Sequence, residues 1–141
     1  MDHVVYVDAK ADELSKLLSG EKTMIIRGAA GRKLPYGRVN NDDVLFLIEN
    51  DGTGLVRAKA NTRSVLNSEK MSKEESTALV EQYQEQLQLT KPQFKRWAGK
   101  RYLVLIELEQ VETVEPFPID KSEFGNMDDW LPVGEIAKYI S

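Results

Sequence analysis

The chain has no cysteine and a single histidine, His3. The first absence removes disulfides, thiolate nucleophiles and cysteine-ligated zinc; the second leaves no histidine-rich metal site within one chain. No apolar run approaches the roughly 18 residues that mark a membrane-spanning helix. Met1-Asp2-His3 leads into a short apolar run without a basic leader or a small-residue cleavage site. The expectation is a soluble, cytoplasmic protein with no metal, no cofactor and no membrane partner. An excess of positive charge is missing too, since 19 Lys and Arg stand against 23 Asp and Glu. Spread evenly, that balance would argue against nucleic acid, but the distribution is uneven. Residues 1–106 hold 17 basic and 14 acidic side chains, whereas residues 107–141 hold 2 and 9. A mildly basic body is followed by an acidic segment.

With 141 residues, 41% of them hydrophobic, there is material for one real core and too little for two, so residues 1–141 read as a single domain. Val4-Val5-Tyr6-Val7 is strand-like, and Asp12 stands where a helix cap belongs, before Leu14, Leu17 and Leu18 on one face and a stop at Gly20. Thr23 to Arg27 reads as a second strand and Val44 to Ile48 as a third. Asn50-Asp51-Gly52-Thr53-Gly54 supplies turn chemistry into a fourth strand from Leu55 to about Val65, predicting a hairpin. Ser72-Lys73-Glu74-Glu75 has capping-box spacing ahead of a helix whose Leu79, Val80, Tyr83 and Leu87 carry it to about Leu89. A short helix follows Pro92, and Tyr102 opens what should be the longest strand. Residues 115–141 form an acidic C-terminal extension whose Ile136, Tyr139 and Ile140 dock it on the body. This order has few parallel crossovers and predicts an α+β fold: a small, curved mixed sheet or pseudo-β-barrel with flanking helices.

At Gly20-Glu21-Lys22-Thr23-Met24-Ile25-Ile26-Arg27, followed by Asn41-Asp42-Asp43-Val44-Leu45, the chain resembles the ASCH family of the PUA-like superfamily. The matching positions are Gly20, Lys22, Arg27 and Asp43, and the likeness extends over roughly residues 1–114. The resemblance implies a β-barrel with a cleft suited to nucleic acid, a role in RNA binding or RNA-linked regulation and, in some members, nucleotide-directed enzyme activity. It singles out Lys22 and Arg27 as cleft residues. In a regular strand these two point to opposite faces, so a kink near Gly20 is needed to bring both to one place.

Three further basic features stand beside them. The loop Gly28 to Arg38 offers Arg32, Lys33 and Arg38 among glycines that let backbone N–H groups approach an anion, although a solvated surface loop has the same composition. Arg57, Lys59 and Arg63 share parity along the fourth strand, with Val56, Ala58 and Ala60 turned inward. They form either a phosphate-tracking strip or a solvated strand face. Lys91, Lys95, Arg96, Lys100 and Arg101 surround Phe94 and Trp97, which at a spacing of three more often pack a short helix than stack bases. RNA is the expected partner, met through Lys22, Arg27, Arg32, Lys33, Arg38, Arg57, Lys59 and Arg63.

Other chemistries fit less well. Gly28-Ala29-Ala30-Gly31 matches the KH-domain motif but follows a strand where that motif joins helices. An EF-hand register from Asp120 fails at Phe124 and Leu131. Gly20-Glu21-Lys22-Thr23 lacks the glycine that precedes a P-loop lysine. One ASCH branch resembles an amidohydrolase of acetylated cytidine that uses a lysine, a threonine three residues later and a distant glutamate. Here Lys22 is followed three residues later by Ile25, which has no hydroxyl. A nucleotide- or modified-nucleoside-directed hydrolase, with Glu49, Glu69 or Glu74 as its acid, is the alternative to RNA binding. A protein-interaction module with Trp97 or Trp130 as an exposed anchor is the second alternative. The acidic segment could cover the basic cleft, because opposite charges attract within about 10 Å at ordinary salt.

Overall fold

A computed structural model describes residues 1–124 and 129–141. Strand β1 (Asp2–Val7) carries Val4, Val5 and Val7 fully buried, so apolar residues point to both of its faces. Helix α1 (Glu13–Ser19) stops at Gly20, whose φ of 82° suits a residue without a β-carbon and whose amide donates to the Leu17 carbonyl. Its start differs from expectation. Asp12 caps nothing with its side chain and is itself left-handed, with φ of 56°. The turn is organised by Glu13 and Asp8 in its place: Glu13 Oε1 accepts from the Asp8 amide at 2.9 Å and Asp8 Oδ1 from the Ala11 amide at 3.2 Å.

β2 (Met24–Ala29), β3 (Val44–Glu49) and β4 (Leu55–Asn67) follow, and β3 and β4 pair as the expected antiparallel hairpin with Leu47 opposite Ala58. The Ser72–Glu75 capping box opens α2 (Lys73–Gln82), with the two reciprocal bonds at 3.1 and 2.9 Å. The single helix expected to run to Leu89 breaks at Tyr83, and α3 (Gln84–Leu87) resumes after it. The Gln86 carbonyl accepts the Thr23 amide at 3.0 Å, tying the helices to the start of β2. A second capping box, Thr90 with Gln93, starts α4 (Lys91–Trp97). β5 (Tyr102–Pro118) is the longest strand at 17 residues. β6 (Trp130–Gly134) was not foreseen, and a 3-10 turn over Ile136–Tyr139 comes after it.

The strands form one mixed sheet in the order β2-β5-β4-β3-β1-β6, in which β1 and β3 run parallel and the other pairs are antiparallel. Three register shifts along the β4–β5 pair bend both strands, as bulges do. The sheet curls into a half-barrel with the helices packed on it. Its curl brings the β2 end close to β1, where Arg27 Nη2 donates to the Tyr6 carbonyl at 2.6 Å.

Side-chain alternation then separates the cores. Val5, Val7, Ile25, Leu45, Leu47, Ala58, Ala60, Ile106 and Trp130 pack together with Leu14 and Leu17 of α1. Met24, Ile26, Leu103 and Leu105, one position over on β2 and β5, pack with Val80, Leu87 and Trp97 of the helices. Val4, Ile48 and Val56 pack with Leu131, Val133 and Ile119, with Ile136 and Tyr139 against them. No helix among the described residues is long and apolar enough to cross a membrane.

Candidate functional site

A cleft of about 440 Å³ opens where the ends of the curled sheet meet α4. Tyr6 and Asp8 reach it from the end of β1, Glu13 from α1, Arg27 from β2, Glu49 and Asn50 from the end of β3, and Gln93, Arg96 and Trp97 from α4. Lys121 and Asp129 complete its rim. A second hollow of about 360 Å³ shares Arg27, Arg96, Trp97 and Asp129 and adds Lys33 and Lys100. The two halves differ in character. The first sets four carboxylates against three cations, with two amides and aromatic rings, while the second has four cations and one carboxylate.

At the base of the cleft lies an ion pair almost out of water. Lys22 Nζ is 3.2 Å from Glu13 Oε2, with side-chain exposures of 1% and 6%, and also donates to the Leu87 carbonyl. Desolvation pushes the Lys22 ammonium below the usual lysine range; Glu13 opposes that push and the nearby Arg27 charge adds to it. Lys22 is therefore committed to protein partners, and it is Glu13, its partner, that faces the cleft.

Arg27, only 7% exposed, lies between the rings of Trp97 and Trp130, its guanidinium carbon 5.9 and 5.7 Å from their centroids. Nη1 donates to its neighbour Ile26's carbonyl at 2.8 Å, and Nη2 crosses to Tyr6. Nε is 3.2 Å from Asp129 Oδ2, close enough for an ion pair, yet its N–H has no aligned acceptor among the described residues. The separation makes the charge attraction real; the misalignment means the hydrogen bond is not made. Arg96 contacts the same Asp129 oxygen at 3.9 Å and lies over Trp97 at 4.3 Å.

The other expected site residues separate from this place. Arg32 leaves the cleft for the rings of Tyr36 and Tyr102, at 5.7 and 5.6 Å. Arg38 is exposed in the same loop, and only Lys33 of the loop cations lines the cleft. Arg57, Lys59 and Arg63 do not line it. Val56, Ala58 and Ala60 are turned inward as their parity implies. Outside, Lys59 meets Glu112 at 3.3 Å and Arg63 meets Glu107 at 3.5 Å, both from β5, so two of the three cations already face carboxylates. Trp97 and Trp130 are 8% and 1% exposed, so neither offers a projecting anchor. Of the acids considered with Lys22, Glu49 lines the cleft and Glu69 and Glu74 do not. Ile25 is fully buried, and no serine or threonine lines the cleft among the described residues. No group of three or more His, Asp or Glu gathers as a metal site among those residues. Within the acidic segment 115–141, residues 125–128 lie outside the described residues. The EF-hand register likewise includes positions beyond them.

No protein-family model matches the chain, and no curated protein does. Among solved structures, the crystal structure of ASCH from Zymomonas mobilis superposes with a TM-score of 0.68 over 97% of this chain and 91% of that one, at 14% identity. Two single-substitution variants of that protein superpose with TM-scores of 0.65 and 0.64 over 91% of this chain and 82% and 84% of theirs, each at 15% identity. The chain has the ASCH fold. Within this ASCH fold the Gly20 to Arg27 motif sits at the base of the cleft: Gly20 ends α1, Lys22 drops into the core, and Arg27 ties β2 to β1.

Several cleft residues escaped the sequence reading. Glu13 had a usable signal, because it lies on the same helical face as Leu17, one turn on, where an acid must find a buried partner. Arg96, Trp97 and Lys100 belong to the basic-aromatic cluster of residues 91–101, whose composition alone does not place it at the cleft. Tyr6, Gln93 and Asp129 gave no local signal, since only the curl of the sheet brings their elements together.

Proposed function

We propose that this ASCH-fold domain binds single-stranded RNA by taking a nucleotide into the cleft between the end of the sheet and α4. The observation that carries the reading is the meeting of Arg27, Lys33, Arg96 and Lys100 beside Trp97 at the mouth of a cleft of nucleotide size. Cations there can hold phosphate and an arginine-aromatic face can stack a base. The mixed half supplies hydrogen-bonding groups for a base edge. Gln93 Oε1 is occupied by the Thr90 amide at 3.1 Å, which leaves its Nε2 as a donor. Glu49 adds a carboxylate acceptor.

The test is fluorescence anisotropy with short single-stranded RNA across a salt series. Arg96→Ala and Lys33→Ala suit it because both side chains are exposed and their loss leaves the core intact. Each should weaken binding at low salt and lower the salt slope by about 1, the loss of one phosphate contact. Wild-type RNA binding that is absent even at low salt, or unchanged by both substitutions, would sink the reading.

One observation favours a second reading, a hydrolase acting on a nucleoside or nucleotide. Glu13 faces the cleft while held against a lysine whose proton is loosened by burial, an arrangement suited to proton transfer. Turnover of amide- or ester-modified nucleosides by the wild-type chain, lost in Glu13→Gln at a temperature where thermal unfolding shows that variant still folded, would support it.

A further inference from the structure

We propose that Arg27, Arg96, Lys33 and Lys100 form a phosphate subsite that the protein's own Asp129 carboxylate occupies when no ligand is bound. The inference rests on the nucleotide-binding reading of the cleft and adds the position of the phosphate and the group it displaces.

Asp129 Oδ2 is shared by two arginines, at 3.2 Å from Arg27 Nε and 3.9 Å from Arg96. A single carboxylate oxygen between two guanidinium groups is a poor match for their forks, each of which can present two parallel N–H donors to an anion. The mismatch is visible at Arg27. Its Nε–H is buried and unaligned with any acceptor among the described residues, although the carboxylate is within ion-pair distance. An unsatisfied donor of a residue that is 93% buried is a standing cost that a better placed oxygen would remove. Tetrahedral phosphate, with several acceptor oxygens, can address Arg27 Nε and Arg96 together in a way the planar carboxylate does not.

The surroundings favour the exchange. Lys33 and Lys100 line the same hollow and make no ion pair among the described residues, so it holds four cations against one carboxylate. Asp129 is held loosely by comparison with Arg27: its side chain is 43% exposed, whereas that of Arg27 is 9% exposed. Its backbone is fixed, since its carbonyl accepts the Tyr6 amide at 3.0 Å. The side chain can therefore turn outward without moving β1. Arg27 cannot move as readily, because its other two nitrogens are bonded to Ile26 and Tyr6. A ligand phosphate would thus replace a carboxylate on a fixed arginine, with Arg96 folding in from its exposed position.

The experiment is titration of adenosine 5′-monophosphate, adenosine and inorganic phosphate into the wild-type chain, Asp129→Asn and Arg96→Ala, followed by amide chemical shifts. Thermal unfolding checks that each variant is folded. The asparagine keeps the size of the side chain and removes the competing charge. Asp129→Asn should bind the monophosphate roughly 5- to 10-fold more tightly, the low end of typical coupling between competing groups because the site is partly open to solvent. Adenosine, which carries no phosphate, should be indifferent to the substitution, and Arg96→Ala should weaken the monophosphate alone. Equal or weaker monophosphate binding by Asp129→Asn overturns the inference. Failure of the two readings is distinguishable through inorganic phosphate. If neither adenosine ligand binds but phosphate binds, more tightly to Asp129→Asn, the subsite stands and the RNA reading falls. If phosphate does not bind to any form, the subsite is overturned as well.

Discussion

At the scale of single residues, the motif lysine and arginine behave as parts of the fold before they can behave as ligands' partners. Lys22 is among the largest fully buried side chains and is satisfied by Glu13 and the Leu87 carbonyl. Removing one member leaves the other charge buried without a partner. Glu13→Gln or Lys22→Met should each cost about 3–5 kcal/mol in chemical denaturation. The double variant should recover part of that loss, because no charge is then stranded. Losses that simply add would mean the two side chains do not depend on each other. RNA-binding defects in Lys22 variants are consequently ambiguous, which is why exposed Arg96 and Lys33 are better probes. His3 is a second buried polar group. Its Nδ1 accepts from Trp130 Nε1 at 3.0 Å, so the ring proton lies on Nε2 and is given to Asp43 at 2.8 Å. Desolvation lowers the His3 pKa against the pull of Asp43, so the folded ring stays neutral where the unfolded one takes a proton. The unfolded state then binds the extra proton below about pH 6.5, and stability falls as pH drops from there toward the folded pKa. Above that pH the group adds no slope. Urea midpoints measured through this window should fall more steeply for the wild type than for His3→Gln, and parallel curves would exclude His3 as the cause.

At the scale of elements, short-range chemistry was readable and long-range pairing was not. The capping box at Ser72, the stop at Gly20 and the Asn50 to Gly54 turn each depend on a few adjacent residues, and each does what its residues imply. Asp12 failed as a cap because Asp8 and Glu13 satisfy the same turn from either side, a competition that a single residue's preference does not reveal. The helix after Ser72 breaks at Tyr83 and its second piece ends at Leu87, where the Gln86 carbonyl takes the Thr23 amide from a distant part of the chain, a pairing that no local pattern reveals. β6 was missed because Trp130 to Gly134 contains Pro132 and becomes a strand only by adding to β1. For the same reason the cleft was half legible. Arg27 and Lys33 lie in a motif and a loop that announce themselves, while Asp129 and Gln93 reach the cleft only through the sheet's curl. β2 and β5 also show why Gly28 is glycine: a β-carbon there would meet Leu103 Cδ2 at 2.6 Å and the Tyr102 carbonyl at 3.1 Å. The carbonyl cannot yield as a side chain can. Gly28→Ala should destabilise the domain by about 1–3 kcal/mol through overpacking of the β2–β5 pair, read as a lower denaturation midpoint. A neutral result would show that β2 can move away from β5 at little cost.

At the scale of the whole molecule, an open sheet of six strands has been brought nearly to closure, and the last link is a side chain. β2 and β1 are not neighbours in the hydrogen-bonded order, yet Arg27 Nη2 on one reaches the Tyr6 carbonyl on the other. Arginine suits this position because its fork can serve the Ile26 and Tyr6 carbonyls at once while its face lies between two indoles. Lysine keeps the charge but has one nitrogen, so Arg27→Lys should lose at least one charged hydrogen bond, worth about 1.5–3 kcal/mol. The location of that loss separates two roles. If Arg27 closes the barrel, amide hydrogen exchange in Arg27→Lys should quicken most along the seam, in β2 and at Tyr6, whose amide is bonded to the Asp129 carbonyl. The β3–β4 hairpin, held by its own ladder, should change only through global unfolding. A uniform increase would assign Arg27 a general stabilising role and leave the curl to the bulged β4–β5 pair. A seam-limited increase would tie the integrity of the cleft to the same residue that offers its buried Nε–H to an anion. Any ligand that satisfies that donor should then slow exchange along the seam.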